Sequence, residues 1–120
     1  MNIFKVNVVA RNPANQSLKT PSIETLVDTG SELSWLPADA LVNAGIQTVR
    51  KRTFQTATKQ LIERNVGYAI LQVDEFETID EVVFADKGDM HLLGVRTLEG
   101  FGVTVDNIAH RFLVQATLVV

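Results

Sequence analysis

Short β-rich segments separated by turn residues run along almost the whole chain. Apolar and polar residues alternate in NIFKVNVVA, where Phe4, Val6 and Val8 form the cleaner buried face. Further β-rich stretches are SIETLVD, ELSWL, IQTVRKRTFQT, QLIERNVGYAILQV, TIDEVVFA, MHLLG, VTVD and RFLVQATLVV. Eight or nine such strands predict an all-β fold, a small β-barrel or a sandwich that carries one or two short helices.

Turn residues mark the borders of these segments. The polar cluster RNPANQSLK, which contains Pro13, predicts the turn of a β-hairpin between the first strand and SIETLVD. Pro37 and Gly45 suit the start and the end of a short helix in PADALVNAG, because Pro favours the first helical position and Gly the left-handed cap. VRTLEGFG predicts one or two further helical turns.

Composition limits the classes of function. The chain has 120 residues, 46% hydrophobic and 21% charged, which suits a single globular domain over residues 1–120. It has no cysteine, so disulfides and thiolate metal sites are excluded, and a reducing compartment fits. The N-terminus lacks a signal-peptide pattern, and no apolar run approaches the roughly 20 residues of a membrane helix. We therefore expect a cytoplasmic protein without membrane association.

Charge is uneven along the chain. The net charge of -3 argues against a nucleic-acid partner. A basic cluster comprises Arg50, Lys51, Arg52, Lys59 and Arg64, and an acidic cluster comprises Asp74, Glu75, Glu77, Asp80 and Glu81. One interpretation is a basic surface that attracts acidic substrates or phosphates. We favour the other, in which the clusters are two solvated strand faces and a turn, with the faces opposite one another.

The stretch IETLVDTGSELSWLP, residues 23–37, contains the most unusual local feature. Asp28 ends an apolar strand, and Thr29, Gly30 and Ser31 follow at once, although Asp and Gly are poor strand residues. Gly30 permits close backbone approach or a positive φ. Ser31 is placed to donate to the Asp28 carboxylate, which favours its ionised form. We predict that Asp28 is catalytic; the competing interpretation is an ordinary turn.

Two motifs together carry a family resemblance. LVDTGSELSWLP followed by LLGVRTLEGFGVTVD resembles the retropepsin-like (retroviral-type, clan AA) aspartic proteases, in particular their small bacterial and archaeal members. The resemblance spans nearly the whole chain, from an N-terminal hairpin through a flap-like hairpin to a C-terminal strand. It implies a small closed β-barrel and an aspartic endopeptidase, in which two aspartates share a proton and activate water.

The resemblance also implies a homodimer. The chain contains a single D-T-G, so the second carboxylate should be Asp28 of a second copy across a two-fold axis. Thr29 would bond across that axis and Gly30 would permit the close contact. Support from behind the loop would come from Leu92, Leu93 and Gly94. The segment FLVQATLVV would pair with residues 1–9 at the dimer interface.

A peptide or protein substrate would lie under the flap-like hairpin. The residues that we predict to contact it are Glu32, Trp35, Phe54, Thr56, Ala57, Thr58, Lys59 and Gln60, the last five at the tip of the hairpin. Trp35 and Phe54 have a competing interpretation as core aromatics. Two features depart from the family: the tip lacks glycine, and Val95, not Arg, follows the L-L-G triplet, with Arg96 next.

We expect no cofactor and no metal, because His91 and His110 lack closely spaced ligand partners. The competing hypotheses use the same fold without catalysis. One is a dimeric module that binds an extended peptide by strand addition, favoured by the missing glycine and the displaced arginine. The other is a structural or regulatory domain that is monomeric in solution.

Overall fold

A computed structural model of the protein describes residues 3–119. These residues form ten strands and two short helices. The elements are β1 Lys5–Asn12, β2 Asn15–Lys19, β3 Ile23–Val27, β4 Ser34–Pro37, α1 Ala38–Asn43, β5 Thr48–Gln55, β6 Leu61–Val73, β7 Phe76–Ala85, β8 Leu92–Leu93, α2 Val95–Phe101, β9 Val103–Asp106 and β10 Arg111–Val114. The prediction of an all-β fold with one or two short helices is confirmed.

Eight strands form one sheet in the order β2-β1-β3-β8-β4-β7-β6-β5, and β1 also pairs with β6. The first half of β1 pairs with β3, and its residues Val9–Arg11 pair with Ile70–Gln72 of β6. Strands β1, β3, β8, β4, β7 and β6 therefore close into a ring, as a small barrel requires. Strands β9 and β10 form a separate two-stranded sheet.

The main core lies inside this ring. Its fully buried side chains include Val8, Leu36, Leu71 and Leu93, which come from four different strands. The second half of β7 is buried without alternation, because it is paired with β6 on one side and β4 on the other. Strand β7 therefore passes through the centre of the molecule and brings its polar residues there too.

The predicted N-terminal hairpin differs from the structure in its second strand. The polar cluster is not merely a turn: residues Asn15–Lys19 form the exposed strand β2, and the turn lies at Pro13 and Ala14. The Asn12 side chain accepts a hydrogen bond from the Ala14 amide, which stabilises this turn. SIETLVD instead forms β3 on the other edge of β1. An exposed strand of polar residues has no apolar pattern that would reveal it.

Both helices lie where the sequence predicts them. Helix α1 follows Pro37, the last residue of β4, and Gly45 beyond its end has φ 72°. Helix α2 directly follows Gly94 and ends at Phe101, and Gly102 after it has φ 75°. Neither helix is long enough to cross a bilayer.

The C-terminal strand is shorter than predicted. Only Arg111–Val114 are in β10, which pairs with β9, and residues 115–119 have no regular structure. Within the chain Lys5–Val8 are paired with β3. Met1, Asn2 and Val120, which belong to the predicted interface strands, lie outside the described residues.

Candidate active site

Asp28 directly follows β3 and begins a tight loop, residues 28–33, here called the D-T-G loop. The Asp28 amide donates to the Leu93 carbonyl at 3.0 Å, so the backbone is fixed by the neighbouring strand β8. The Ser31 amide donates to the Asp28 carbonyl at 3.1 Å, and the Gly30 amide donates to Asp28 Oδ1 at 2.9 Å. The partly exposed carboxylate is thus held by a main-chain donor at the end of a rigid strand.

The segment after β8 holds the far side of the D-T-G loop. Leu92 and Leu93 pair in parallel with Leu26 and Val27. Two amides then donate back to the loop, Val95 to the Ser31 carbonyl at 2.8 Å and Arg96 to the Glu32 carbonyl at 3.1 Å. The L-L-G residues therefore lie behind the loop, where the sequence predicts them.

Gly94 is needed for a close backbone approach. A Cβ atom at this position would lie 2.4 Å from the Leu33 carbonyl oxygen, far inside van der Waals contact. Because the clash would be with backbone, no side-chain rotation relieves it. Gly94 therefore sets the distance between the D-T-G loop and its support.

A buried chain of hydrogen bonds extends from Gly94 to strand β7. The Gly94 amide donates to Ser34 Oγ at 2.9 Å, and Ser34 Oγ lies 2.6 Å from Thr97 Oγ1. Thr97 Oγ1 donates its proton to Asp80 Oδ2 at 2.8 Å, so the Ser34 hydroxyl is the donor to Thr97. Ser34, Thr97 and Asp80 are all buried, and every link has a partner. The sequence pattern does not single out Ser34 or Thr97, and it places Asp80 only in the acidic cluster.

The Ser31 hydroxyl is bound elsewhere than predicted. It donates to the Leu33 carbonyl at 2.7 Å, so its single proton is not given to Asp28. The expectation that Ser31 donates to the carboxylate is therefore wrong, and the Gly30 amide takes that place. The cause is the tight turn, which brings the carbonyl two residues further along the chain within reach of the hydroxyl.

The front of the D-T-G loop has few contacts within the chain. Thr29 and Gly30 are exposed. Gly30 does not adopt a positive φ, and a Cβ atom there would meet only Asp28 Oδ1, at 3.2 Å. Within the described part of the chain, no close backbone contact requires glycine at this position.

Strands β5 and β6 form a hairpin beside the D-T-G loop, here called the flap hairpin, with its tip at Thr56–Gln60 as predicted. The Thr56 amide donates to the Gln60 carbonyl and the Lys59 amide to the Thr56 carbonyl, both at 2.8 Å. Lys59 has φ 65°, the left-handed conformation that glycine usually supplies at this hairpin position. The tip therefore forms a tight turn without glycine.

A cleft of about 730 Å³ lies between the D-T-G loop and the flap hairpin. The predicted residues that line it are Asp28, Gly30, Ser31, Glu32, Trp35, Phe54, Thr56, Ala57 and Leu92. Thr29, Leu93, Gly94, Thr58, Lys59 and Gln60 are not among its lining residues. The lining also includes residues that the sequence did not single out for this site: Leu33, Arg52, Thr53, Gln55, Asp89 and Met90. Their roles in substrate binding stay predictions.

Two aromatic rings meet in this cleft. The Trp35 and Phe54 centroids are 4.9 Å apart with the rings tilted by 57°. Both side chains are partly buried and pack against a small cluster of Leu33, Val66 and Val83. The two interpretations of these aromatics are thus compatible, since each ring packs internally and also faces the cleft.

Three arginines surround one buried carboxylate next to the cleft. Arg50 Nη2 and Arg52 Nη1 donate to Glu81 at 2.9 and 3.0 Å, and Arg96 Nη1 lies 3.3 Å from the same carboxylate. Burial alone would raise the pKa of Glu81, but the hydrogen bonds and charges of Arg50 and Arg52 outweigh it and lower that pKa. Arg96, the displaced arginine, is thereby engaged within its own chain.

This arrangement corrects the prediction of two solvated strand faces. The Glu81 and Asp80 side chains are only 3% and 8% exposed. Both lie on the buried half of β7. Arg50 and Arg52 of β5 reach inward to Glu81, and Arg96 of α2 lies 3.7 Å from Asp80. The acidic cluster therefore includes two interior carboxylates, which charge patterning alone does not distinguish from surface ones.

A second arginine–carboxylate pair holds the edge of the cleft. Arg64 Nε and Nη2 donate to the two oxygens of Asp89 at 2.7 and 2.9 Å. These bonds hold the pKa of Asp89 below its usual value. The Asp86 amide also donates to Asp89, which closes the turn before β8.

Within residues 3–119, no three His, Asp or Glu side chains meet in a potential metal site.

The fold has counterparts among solved structures. A foamy viral protease–reverse transcriptase, solved with double-stranded DNA, superimposes with a TM-score of 0.52 over 78% of this chain, at 14% identity. This chain spans 15% of that viral chain's length. A retropepsin-like aspartic protease from Rickettsia conorii is 23% identical over 87% of this chain and 84% of its own, with a TM-score of 0.47.

The fold is retropepsin-like. At 14% identity, the viral likeness establishes the fold and nothing finer. No protein-family model matches the sequence. No curated protein matches it either.

Proposed function

We propose that the protein is a homodimeric aspartic endopeptidase in which Asp28 of each copy supplies one catalytic carboxylate. The observation that carries the proposal is the position of Asp28, at the end of a strand, partly exposed and lining an open cleft beneath a hairpin, in a retropepsin-like fold. A cleft of about 730 Å³ is large enough to hold several side chains of an extended peptide.

The chemistry needs two carboxylates that differ in protonation. Two close carboxylates do not both ionise easily, so one proton is shared between them. The ionised member takes a proton from water as the water oxygen bonds to the peptide carbonyl carbon, and the protonated member donates its proton to the carbonyl oxygen. When this tetrahedral intermediate collapses, the C–N bond breaks and the leaving nitrogen takes a proton from the carboxylate pair. Because the two groups titrate together, a measured pKa would belong to the pair.

The surface beside Asp28 is open, which supports the inference that a second copy of the chain supplies the partner carboxylate. Asp28 also borders a second recess of about 560 Å³, lined in part by Ile3, Leu26, Met90 and His91. Thr29 and Gly30, which are exposed, follow Asp28 in the D-T-G loop. We infer that the second chain contacts this side, with Thr29 bonding across the two-fold axis and Gly30 permitting the approach.

Replacement of the carboxylate is the direct test. Peptide hydrolysis should be measured between about pH 4 and 7, with and without a statine-type inhibitor. Asp28→Asn should lower activity by roughly 10²–10⁴-fold, the usual contribution of acid–base catalysis, without changing the melting temperature. Asp74→Asn is the matched control, because Asp74 lies in an exposed turn at φ 51°, a conformation that asparagine tolerates. Full activity in Asp28→Asn would end the proposal.

Oligomeric state provides an independent test. If the site needs two chains, specific activity falls on dilution as dimers dissociate, and sedimentation should show the same transition. A chain that stays strictly monomeric at high concentration would remove the shared pair of carboxylates, and the endopeptidase proposal with it.

The second candidate is a dimeric module that binds extended peptides without cutting them. The observation that favours it is the engagement of Arg96 with Glu81, which leaves the dimer without that arginine as a brace. Tight peptide binding by a confirmed dimer, with no turnover under any pH tested, would select this candidate.

A further inference from the structure

Arg52 is the one basic side chain among the residues that line the cleft, within the part of the chain that the structure describes. Its side chain is 32% exposed, so it is neither buried in the core nor fully solvated. It lies on β5 two residues before Phe54, and both side chains are partly buried on the inner face of that strand. A cation is thus positioned beside the aromatic pair of Trp35 and Phe54.

The charges around Arg52 do not cancel. The guanidinium groups of Arg50, Arg52 and Arg96 carry three positive charges, and Glu81 supplies one negative charge. Among the described residues, the only other carboxylate within 4.0 Å of these guanidinium groups is Asp80, 3.7 Å from Arg96 Nη2, and it already accepts from Thr97 and the Glu81 amide. One positive charge is left over.

The geometry leaves Arg52 free to bind a ligand. Only its Nη1 donates to Glu81, although a guanidinium has five N–H donors. Within residues 3–119, no other acceptor lies within hydrogen-bond distance of it. The Phe54 ring lies 5.8 Å from its Cζ atom, which further restricts its orientation. Arg52 is therefore held in place from one side, with donors unused on the others.

We propose that Arg52 forms a subsite that selects an acidic side chain, Asp or Glu, in the peptide bound in this cleft. The neighbouring subsite, against Trp35 and Phe54, takes an apolar side chain. This inference rests on the proposed function, because it requires that the cleft binds a peptide. It adds the class of peptide sequence that the cleft prefers. A guanidinium pairs with a carboxylate through two parallel hydrogen bonds, which gives the selection its geometry.

Arg52 can be replaced without loss of the ion cluster. In Arg52→Gln, Glu81 keeps the guanidinium groups of Arg50 and Arg96, so it is not left unpaired. Lys51→Gln is the matched control: it removes the same charge from the adjacent position of β5, where the side chain is exposed and does not line the cleft. A general electrostatic effect of the basic strand would appear in both variants.

The experiment uses a library of randomised octapeptides and identifies cleavage sites by mass spectrometry. The wild type should cleave peptides with Asp or Glu at one fixed position about tenfold better in kcat/KM than the matched Asn or Gln peptides, equivalent to about 1.4 kcal/mol. Arg52→Gln should lower this preference for the acidic peptides to within about twofold. Arg52→Glu should instead cleave peptides with Lys at that position better than the acidic peptides. Lys51→Gln should keep it, and added salt should weaken it.

Equal cleavage of the acidic and amide peptides by the wild type would overturn the proposal, as would an acidic preference that persists in Arg52→Gln. A binding measurement distinguishes failure of the proposed catalysis from failure of the Arg52 subsite. Fluorescence anisotropy with Asp28→Asn compares the acidic and amide peptides without cleavage. Tighter binding of the acidic peptide that depends on Arg52 supports the subsite even when no peptide is cut. Binding without that preference, or no binding, overturns it.

Discussion

The two sides of the D-T-G loop differ in how completely they are bonded. Behind the loop, Gly94, Ser34, Thr97 and Asp80 form a buried chain in which every hydrogen bond is made. In front, Thr29 and Gly30 are exposed. The chain therefore builds one rigid wall for the Asp28 carboxylate and leaves the opposite side open, as one half of a two-chain site would.

Gly94 and Gly30 show the same difference between the back and the front of the D-T-G loop. At Gly94 a side chain would collide with the Leu33 backbone, whereas at Gly30 it would only touch the Asp28 carboxylate. Gly94 is thus explained by the folded chain alone. Gly30 is not, and a second chain is the explanation that we propose.

The largest effect on stability is expected for Gly94→Ala. Its Cβ atom would lie 2.4 Å from the Leu33 carbonyl oxygen and 2.6 Å from the carbonyl carbon, so the D-T-G loop must move away from its support. We expect the free energy of unfolding to fall by about 3 kcal/mol or more, measured by urea denaturation. An unfolding midpoint equal to that of the wild type would show that the loop is not tightly held.

A smaller loss is expected for Thr97→Val, which keeps the side-chain shape and removes the hydroxyl. Asp80 Oδ2 then loses its donor and the Ser34 hydroxyl loses its acceptor, both in the interior. The expected cost is about 2 kcal/mol in the same denaturation experiment. Thr97→Ser keeps the hydroxyl and is the control. A Thr97→Val variant as stable as the wild type would show that the buried hydroxyl contributes nothing to stability.

The ion cluster at Glu81 predicts a pH dependence that sharpens the comparison. Because the pKa of Glu81 is lowered on folding from 4.5, its contribution to stability is present above about pH 4.5 and is lost as the pH falls through the folded value. The stability difference between the wild type and Glu81→Gln should therefore shrink below that pH. Thermal unfolding of both proteins from about pH 7 to 3 measures it; a constant difference would contradict the assignment.

The fold was largely predictable because its determinants are local. Apolar alternation, Pro37, Gly45 and the two motifs place most strands, both helices and the tip of the flap hairpin. Strand β2 was not predicted, because an exposed polar strand lacks the alternation of apolar residues. The Ser31 hydroxyl was misassigned because its acceptor depends on the turn geometry.

The cleft was only partly predictable, since its lining depends on how distant strands come together. Asp28, Trp35 and Phe54 follow from the motif and from aromatic character. Arg52 lines the cleft and donates to Glu81, 29 positions away, and a local pattern reveals neither contact. Likewise, the interior position of Glu81 follows from the strands on both sides of β7, which a run of charged residues does not reveal.

The smallest effect on the single chain, and the sharpest test of the comparison, is expected for Gly30→Ala. Gly30 has no positive φ, and the added Cβ requires only a slight shift of the Asp28 carboxylate, so the unfolding free energy of the monomer should change by less than about 0.5 kcal/mol. If two chains meet at this loop, the same methyl group would be forced between them. Sedimentation should then show weaker dimerisation, and hydrolysis should fall at concentrations where the wild type is dimeric. A variant that dimerises and cleaves like the wild type would mean that the open side of the loop is not where the chains meet.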